Sequence, residues 1–419
     1  MNKIKVVWIC HLSNSQIREH LKYDKWTPTA LIRRILGKLD LSDFAVWNTN
    51  GIREFAKFKD VELHIVAPHY YISGVQEFQI DSVYYHLFES EDDNVFTLLR
   101  RFCLKSWLKT SYAKNAKTIN RLIKLINPDI IHLIGAENPY YGESALSLPR
   151  NIPLVVGLQT LMNDSSFLEN YPLSKEVYDY RSGLEADILR RADYIGTRGD
   201  FYKNKIKGSI CPTAKFLNIA LAVGVDVNLS EANKSYDFVY FAADISKAVD
   251  YAIESFAIAK QTFPGITLHV VGGYSDAYMC SLKDRMKELG LGDEVDFTGK
   301  LQSYNDVITE VRKARFALLP LKVDLISGTI REAMANGLPV VTSKTPDTPK
   351  LNEVRESILL SDIGDFNAMA DNMLKLLSDL NVAQIFQENG AKTVAERYSN
   401  EAFMREWRDC YYAILNNER

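Results

Sequence analysis

Short apolar runs, each followed by a polar loop and a longer amphipathic stretch, recur along the whole 419-residue chain. This alternation is typical of a parallel α/β sheet, in which each buried strand is followed by a helix. The predicted strands are 4–10, 61–67, 130–134, 154–158 and 194–197 in the first half, and 238–242, 267–271, 295–298, 316–319 and 339–342 in the second. Two such series predict two doubly wound domains.

A polar segment without helical periodicity, 224–236, separates the two series and precedes a new strand. We therefore predict an N-terminal domain at 1–222 and a C-terminal domain at 235–399. The last stretch, about 400–419, has the pattern of an amphipathic helix with aromatic side chains at Phe403, Trp407 and Tyr411. We expect this helix to pack on a domain surface and to return to the first domain.

Composition indicates a soluble globular protein, since 47% of the residues are apolar and 25% are charged. The net charge of −3 gives no general attraction to polyanions, and we expect no nucleic-acid partner. The apolar run near the N-terminus, KVVWIC, is too short for a signal peptide core. No run approaches the about 18 apolar residues that cross a bilayer. We therefore expect a cytoplasmic protein.

The cysteines lie far apart and form no CxxC pair, so neither a disulfide framework nor a zinc site is predicted. They are Cys10, Cys103, Cys211, Cys280 and Cys410. The chain also has no HExxH motif, no clustered His and Cys residues and no DxD, so no metal site is predicted. A GxSxG elbow is absent too, which argues against a serine hydrolase.

A loop at 320–329 leads from a predicted strand into a predicted helix, 330–336. Ser327, Gly328 and Thr329 lie where that helix begins. The first-turn amides and the helix dipole favour an anion there, Gly328 permits close backbone approach, and the two hydroxyls add donors. The turn therefore suits a pyrophosphate. The other interpretation is a plain N-cap, in which a hydroxyl of Ser327 or Thr329 satisfies the first amides.

Two carboxylates bracket this turn, Asp324 in the loop and Glu332 in the helix, with seven residues between them. Carboxylates are good acceptors for the hydroxyls of a sugar or a ribose, and a pair on the surface is more often a solvated acidic loop. The residues alone leave both interpretations open.

The sequence around this turn resembles a known family. The segment ISGTIREAMANGLPVVTS is similar to the signature of retaining glycosyltransferases of the GT-B fold, especially family four, whose pattern is Glu, seven residues, Glu and AMAxGxPVV. The match over 332–341 is nearly complete, and the first acid is Asp324. The resemblance implies two Rossmann-like domains facing a central cleft, with the acceptor on the first and the donor on the second. It assigns the donor sugar to Asp324 and the ribose hydroxyls to Glu332.

The segment 265–307 resembles the family's strand, glycine pair, helix and Gly-x-Leu turn. By that resemblance Gly272 and Gly273 line the donor site, and the backbone near Lys300 and Leu301 meets the nucleotide base. A glycine pair alone would equally mark an ordinary turn.

Four positions bear on how far the resemblance holds. Relatives carry an Arg and a Lys that neutralise the donor diphosphate; this chain has Lys247 but Ala242 near the place of the Arg. Lys247 is the expected catalytic cation, although a solvated helix residue is the alternative. Gln159 lies where relatives have a His that contacts the donor sugar. His11 follows the first strand, where it faces a ligand or is simply structural.

A basic segment, 94–128, contains no acidic residue. Its cations are Arg100, Arg101, Lys105, Lys109, Lys114, Lys117, Arg121 and Lys124. On a helix they would gather on one face, which suits peripheral contact with anionic lipid at the inner face of the plasma membrane or with a polyprenyl-diphosphate acceptor. The alternative is a solvated helix with its apolar side in the core.

The sequence therefore predicts a glycosyltransferase that moves a sugar from a nucleotide-diphosphate donor, such as a UDP- or GDP-sugar, to a glycan or lipid-linked acceptor. Retention, independence of metal and a role in bacterial surface polysaccharide synthesis follow from the resemblance, and no cofactor besides the donor substrate is expected. The alternatives are a nucleotide-sugar epimerase or phosphorylase of the same fold, and a non-catalytic scaffold.

Overall fold

A computed structural model describes residues 3–24, 42–91, 112–164, 173–223, 233–242, 248–322 and 326–417. The chain forms two compact units, each with its own sheet. The first comprises Met1–Ala222 and Asn400–Arg419, and the second comprises Val223–Ser399. Among the residues that the structure describes, no helix is both long and apolar enough to cross a bilayer.

The first unit contains a sheet of eight strands. They are β1 (Ile4–Ile9), β2 (Val61–His69), β3 (Val75–Ile80), β4 (Val83–Glu89), β5 (Ile130–Ile134), β6 (Leu154–Gly157), β7 (Tyr194–Gly196) and β8 (Phe216–Leu217). Their order is β3-β4-β2-β1-β5-β6-β7-β8, and only β3 and β4 pair antiparallel. All five predicted strands are confirmed. The pattern does not predict β3, β4 or β8, because polar residues interrupt the first two and the last has only two residues.

Helices flank this sheet. They are α1 (Ser15–His20), α2 (Val46–Phe55), α3 (Ala113–Ile126), α4 (Pro139–Gly142), α5 (Lys175–Arg191) and α6 (Asp200–Ser209). The strand order runs from β1 to β2 on one side and from β1 to β5 on the other, so the direction of winding reverses between β1 and β5. Open α/β sheets bind ligands outside the carboxyl ends of the strands at such a switch point.

The second unit contains a fully parallel sheet of six strands. They are β9 (Tyr236–Phe241), β10 (Leu268–Val271), β11 (Val295–Gly299), β12 (Ala314–Leu319), β13 (Val340–Ser343) and β14 (Leu359–Ser361). The order is β11-β10-β9-β12-β13-β14. Its helices are α7 (Val249–Thr262), α8 (Asp276–Glu288), α9 (Tyr304–Val311), α10 (Gly328–Ala335), α11 (Phe366–Ser378) and α12 (Leu380–Arg397). All five predicted strands are confirmed, and the short β14 is additional.

The C-terminal helix α13 (Asn400–Asn417) packs on the first unit, as predicted. Its aromatic side chains Phe403, Trp407 and Tyr411 are at most 2% exposed. The Tyr411 hydroxyl accepts a hydrogen bond from Trp8 Nε1 at 3.0 Å and lies 2.5 Å from His132 Nδ1. Because Trp8 and His132 belong to the central strands β1 and β5, the last helix of the chain closes the core of the first unit.

Candidate functional site

The N-terminus of α10 lies in the loop that follows β12, at the carboxyl edge of the second sheet. Ser327 occupies the N-cap position with extended backbone angles and is 2% exposed. Its side chain makes no capping hydrogen bond, because its hydroxyl lies 2.9 Å from Thr329 Oγ1. The side chain at the N-cap therefore does not take up the first-turn amides, as the capping interpretation would require.

Gly328 is the first residue of α10 and is half-buried. A Cβ added there would meet Val223 Cγ1 at 3.6 Å, which is an ordinary van der Waals contact. The packing of the unit thus leaves room for a side chain at this position. A glycine that packing does not require is consistent with close approach of a ligand to the backbone.

Gly272 and Gly273 lie just beyond β10, and both are required by the local backbone. Gly272 has a φ of 150°, and its amide donates to Thr298 Oγ1 at 3.4 Å. A Cβ at Gly273 would lie 2.6 Å from Lys300 Cβ, far inside contact distance. The two glycines therefore let the loop after β10 lie against the turn that contains Lys300 and the half-buried Leu301. The structure thus brings the predicted glycine pair and the predicted base-contacting turn together.

Glu332 lies five residues into α10 and is half-buried. The helix begins at Gly328, two residues earlier than the predicted start at 330, so Gly328 and Thr329 are its first two residues. It ends at Ala335, and Gly337 follows with a φ of 73°. The helix thus holds Ser327, Gly328, Thr329 and Glu332 on one short element.

The two residues predicted to be catalytic, Asp324 and Lys247, lie outside the described residues. Their roles stay predictions. Ala242, near the place of the Arg that relatives carry, is described at the end of β9, where its carbonyl accepts a hydrogen bond from the Tyr274 hydroxyl at 2.8 Å.

Lys322 was not among the residues predicted for the site; it follows β12 on the loop that leads to Ser327. Its Nζ lies 2.7 Å from Asp250 Oδ2 and 4.6 Å from the centre of the Tyr251 ring. Asp250 lies in the first turn of α7, where a carboxylate is also favoured by the helix dipole. The ion pair fixes the β12 loop to α7. The sequence signal that could have identified Lys322 is its position two residues before Asp324, the predicted acid.

In the first unit, His11 follows β1 and is packed among aromatic rings. Its ring lies parallel to Tyr140 with centroids 5.9 Å apart, and its Nδ1 makes a short hydrogen bond with the Tyr140 hydroxyl. Tyr141 meets it edge-on at 5.5 Å. Desolvation lowers the pKa of His11 to about 4, so the ring is neutral near pH 7.

The described part of the basic segment is α3; residues 94–111 lie outside the described residues. Lys114, Lys117, Arg121 and Lys124 are exposed on this helix, and Lys114 lies 3.5 Å from Glu89. The opposite side is buried by Ile119, Leu122, Ile123 and Ile126. This amphipathic arrangement fits a solvated helix and a surface for anions equally well.

Comparison with known proteins agrees with the geometry of the second unit. Residues 228–393 match the family model of glycosyl transferases group 1. The matched stretch is about two fifths of the chain and lies in the second unit, which is similar to this family. A curated protein that the chain resembles is N-acetyl-alpha-D-glucosaminyl L-malate synthase of Bacillus anthracis, 23% identical over 140 residues, which cover 33% of this chain and 36% of the relative. The matched stretches span between 7% and 44% of the first four curated relatives.

Solved structures are similar to this chain in fold over almost its whole length. Sucrose-phosphate synthase from Thermosynechococcus elongatus superposes with a TM-score of 0.68 at 16% identity, covering 99% of this chain and 100% of that one. HepE of Anabaena, solved with UDP and glucose, gives a TM-score of 0.63 at 13% identity over 98% of this chain and 100% of that one. At these identities the likeness establishes the fold, and the predicted GT-B fold class is confirmed.

Proposed function

We propose that this chain transfers a sugar from a nucleotide-diphosphate donor to a hydroxyl of a glycan or lipid-linked acceptor, with retention and without a metal ion. The second unit would hold the donor and the first unit the acceptor. The observation that supports this most directly is the start of α10, where Ser327 leaves the first-turn amides uncapped by its side chain and Gly328 is not required by packing. These amides suit the diphosphate.

The remaining described residues have consistent roles in this proposal. The hydroxyls of Ser327 and Thr329 add donors for the diphosphate oxygens. Glu332 accepts from the ribose hydroxyls, and the turn at Leu301, held against Gly273, provides backbone groups for the base. The structural neighbour HepE, solved with UDP and glucose, supports a UDP-sugar as the donor class. The sugar, the base and the acceptor pathway, including surface polysaccharide synthesis, stay predictions.

In the proposed reaction the bond between the anomeric carbon and the diphosphate oxygen breaks, and its electron pair stays on the diphosphate. An acceptor hydroxyl forms the new bond to that carbon and gives up its proton to the departing diphosphate. The leaving diphosphate gains charge in the transition state, so donors already aimed at it lower the barrier. Asp324 would contact the sugar, and Lys247 would add positive charge beside the diphosphate.

The ribose assignment is tested by calorimetry of UDP, GDP and ADP and their sugars with wild type and Glu332→Ala. We expect the best wild-type ligand to bind the variant at least tenfold more weakly, about 1.4 kcal/mol. Glu388→Ala is the matched control, since Glu388 is exposed in the same unit. Unchanged affinity in Glu332→Ala would contradict the ribose role, and failure of every nucleotide to bind would favour a non-catalytic scaffold. Epimerised sugar from donor alone would favour the epimerase.

The basic face of α3 is proposed as a contact for anionic lipid or for a polyprenyl diphosphate. Its support is the exposure of Lys117, Arg121 and Lys124 on one side of the helix. Sedimentation with anionic vesicles, compared with neutral ones, separates this role from that of a solvated helix.

A further inference from the structure

A row of charged and titratable side chains crosses one face of the first sheet, toward the amino ends of β1 and β2. It consists of Lys5 on β1, Glu62 and His64 on β2, His86 on β4 and Glu77 on β3. In the strand registers Lys5 lies opposite Glu62, and His86 lies opposite Glu77. Glu62 and His64 are two residues apart and so share a face. The row therefore links four neighbouring strands.

The two histidines of this row, the histidine pair, are joined to each other and to a carboxylate on either side. His64 Nδ1 lies 3.0 Å from His86 Nε2. On one side His64 Nε2 lies 3.0 Å from Glu62 Oε1, and on the other His86 Nδ1 lies 2.7 Å from Glu77 Oε1. All four ring nitrogens of the pair are thus engaged in one chain of three hydrogen bonds.

The number of protons on the pair follows from this geometry. An ionised carboxylate only accepts hydrogen bonds, so Glu62 and Glu77 each require a proton on the ring nitrogen that faces them. The other two nitrogens face each other and need one proton between them, because two lone pairs at this distance repel. The three bonds therefore require three protons, whereas two neutral imidazoles carry only two. The complete chain holds one added proton and one positive charge.

The surroundings of the pair favour the positive charge on His86. His64 is only 8% exposed, and burial lowers its pKa, which the hydrogen bond to Glu62 only partly offsets. That hydrogen bond also lowers the pKa of Glu62, so Glu62 is ionised. His64 therefore stays neutral, donates from Nε2 to Glu62 and accepts at Nδ1 from His86. His86 then donates from both of its ring nitrogens.

Other groups face the pair from the elements around it. The Tyr84 ring of β4 stacks on His64, with 4.8 Å between centroids. Lys5 Nζ lies 3.4 Å from Glu62 Oε1 and donates to the Ile126 carbonyl of α3 at 3.1 Å. The cations of α3 are exposed to solvent. With the added proton the charges of the row from Lys5 to Glu77 sum to zero, and without it they sum to one negative charge.

We propose that the histidine pair is a pH-dependent link: one added proton makes His86 a cation that donates to both His64 and Glu77 and so fastens the edge strand β3 to β4 and β2. When this proton is lost, the two rings can make only two of the three bonds. The bond to Glu77 is the one expected to break, because its side chain is 59% exposed and that of Glu62 is 32% exposed. The link does not depend on the proposed sugar transfer.

The proton count is tested by NMR of the full chain with ¹⁵N in its seven histidines. Protonated and bare ring nitrogens resonate apart, and His64→Gln and His86→Gln identify the resonances of the pair. At pH 5.5 we expect three of the four nitrogens to be protonated, with His64 Nδ1 bare. At pH 8.5 we expect two, with His86 Nδ1 also bare. Two independent solvated histidines, with a pKa of about 6.5, would carry close to four protons at pH 5.5.

Hydrogen exchange of the β3 amides shows whether the proton fastens the strand. From pH 5.5 to 8.5 the protection of 75–80 in wild type, corrected for the intrinsic rate and taken relative to β5, should fall about threefold or more. In Glu77→Gln this ratio should stay nearly constant, because the neutral side chain removes the ion pair with His86. The midpoint of proton uptake by the pair should also fall by about half a pH unit.

Glu19→Gln is the matched control, because it removes the same charge at an exposed position of the same unit. It should behave as wild type in both measurements. Thermal melts show that each variant is folded. If a histidine variant does not fold, the comparison of wild type with Glu77→Gln decides, since the Glu77 side chain is largely exposed.

Three results would overturn the proposal. The pair carries two protons at pH 5.5, which means that both rings are neutral; it carries four, which means that the rings titrate independently; or the protection of β3 depends on pH equally in wild type and Glu77→Gln. None of these results bears on nucleotide binding. Conversely, unchanged nucleotide affinity in Glu332→Ala leaves the link untouched, so the two proposals fail separately.

Discussion

The carboxyl edges of the two sheets present different chemical groups. In the first unit the edge consists of side chains: the aromatic rings around His11 and the buried carboxyl of Glu137, which burial keeps uncharged near pH 7. In the second unit it consists mainly of backbone, with glycines at Gly272 and Gly273 and helix amides beside Ser327. Side chains held neutral by burial do not attract an anion, whereas oriented amides suit one.

Because the two edges differ in this way, we expect substitutions in the two units to change stability by different amounts. The unfolding of the first unit can be followed by tryptophan fluorescence, since all five tryptophans belong to it. They are Trp8, Trp26, Trp47, Trp107 and Trp407.

The largest effect is expected for Trp407→Ala in α13. The ring is 2% exposed and lies 5.0 Å from Trp8 and 4.6 Å from His132 between ring centroids. Removing it leaves a cavity in the core of the first unit and should lower the free energy of unfolding by about 3–5 kcal/mol. Urea denaturation followed by the remaining tryptophans measures this. Leu125→Ala, at a residue 73% exposed in the same unit, should change little. A loss below about 1 kcal/mol in Trp407→Ala would mean that α13 does not support the first unit.

The next effect concerns pH. The pKa of Glu137 is raised from 4.5 to about 8, so the folded state gains from its protonation and this gain is lost as the pH rises from 4.5 through 8. Wild type should therefore lose on the order of 3 kcal/mol over this range relative to Glu137→Gln, which cannot ionise. Tryptophan-monitored denaturation at pH 5, 7 and 9 checks it. Parallel pH profiles for the two proteins would show that Glu137 is already ionised near neutral pH.

A smaller effect is expected at the second edge for Gly273→Ala. The new Cβ would meet Lys300 Cβ at 2.6 Å, so the backbone must move, at about 1–3 kcal/mol. Gly265→Ala is the control, since an added Cβ there has nothing within 4 Å. Hydrogen exchange of amides in the second unit measures both. Equal stability of the two variants would refute the close approach of these loops.

The smallest effect on folding is expected for Ser327→Ala. Its hydroxyl bonds to Thr329 and not to a first-turn amide, so stability should change by about 0.5 kcal/mol or less. Nucleotide affinity, measured by calorimetry, should nevertheless fall severalfold, because a donor to the diphosphate is lost. A loss of about 1 kcal/mol in stability with unchanged affinity would identify Ser327 as a plain helix cap.

The same difference explains what the sequence could predict. A site built from backbone needs glycines and small hydroxyl residues in a continuous run, and the resemblance of 326–343 to known proteins rests on such a run. The first edge combines residues from three separate loops, at positions 11, 137 and 159. No local pattern marks them, and the burial that makes Glu137 neutral exists only after folding.

Secondary structure is likewise predictable where a continuous pattern of residues marks it. Strands buried on both faces, such as β5 and β12, are apolar except for His132 and Arg315, and their apolar residues predict them. The edge strand β3 is mostly exposed or half-buried, so its residues alternate without a clear run. The predicted start of α10 is two residues too late, because glycine and threonine have low helix propensity and so Gly328 and Thr329 were not predicted as helical. The catalytic assignment of Asp324 and Lys247 stays a prediction.

The central claim is that the start of α10 binds the diphosphate of a nucleotide donor. Labelling the 21 glycines with ¹⁵N and titrating with UDP tests it most directly. Gly328→Ala identifies the resonance of Gly328, since the space there accepts a Cβ. We predict that UDP shifts the resonances of Gly328 and Gly273 and leaves Gly51 and Gly142 of the first unit unchanged. Binding of UDP without any shift at Gly328 would contradict the account.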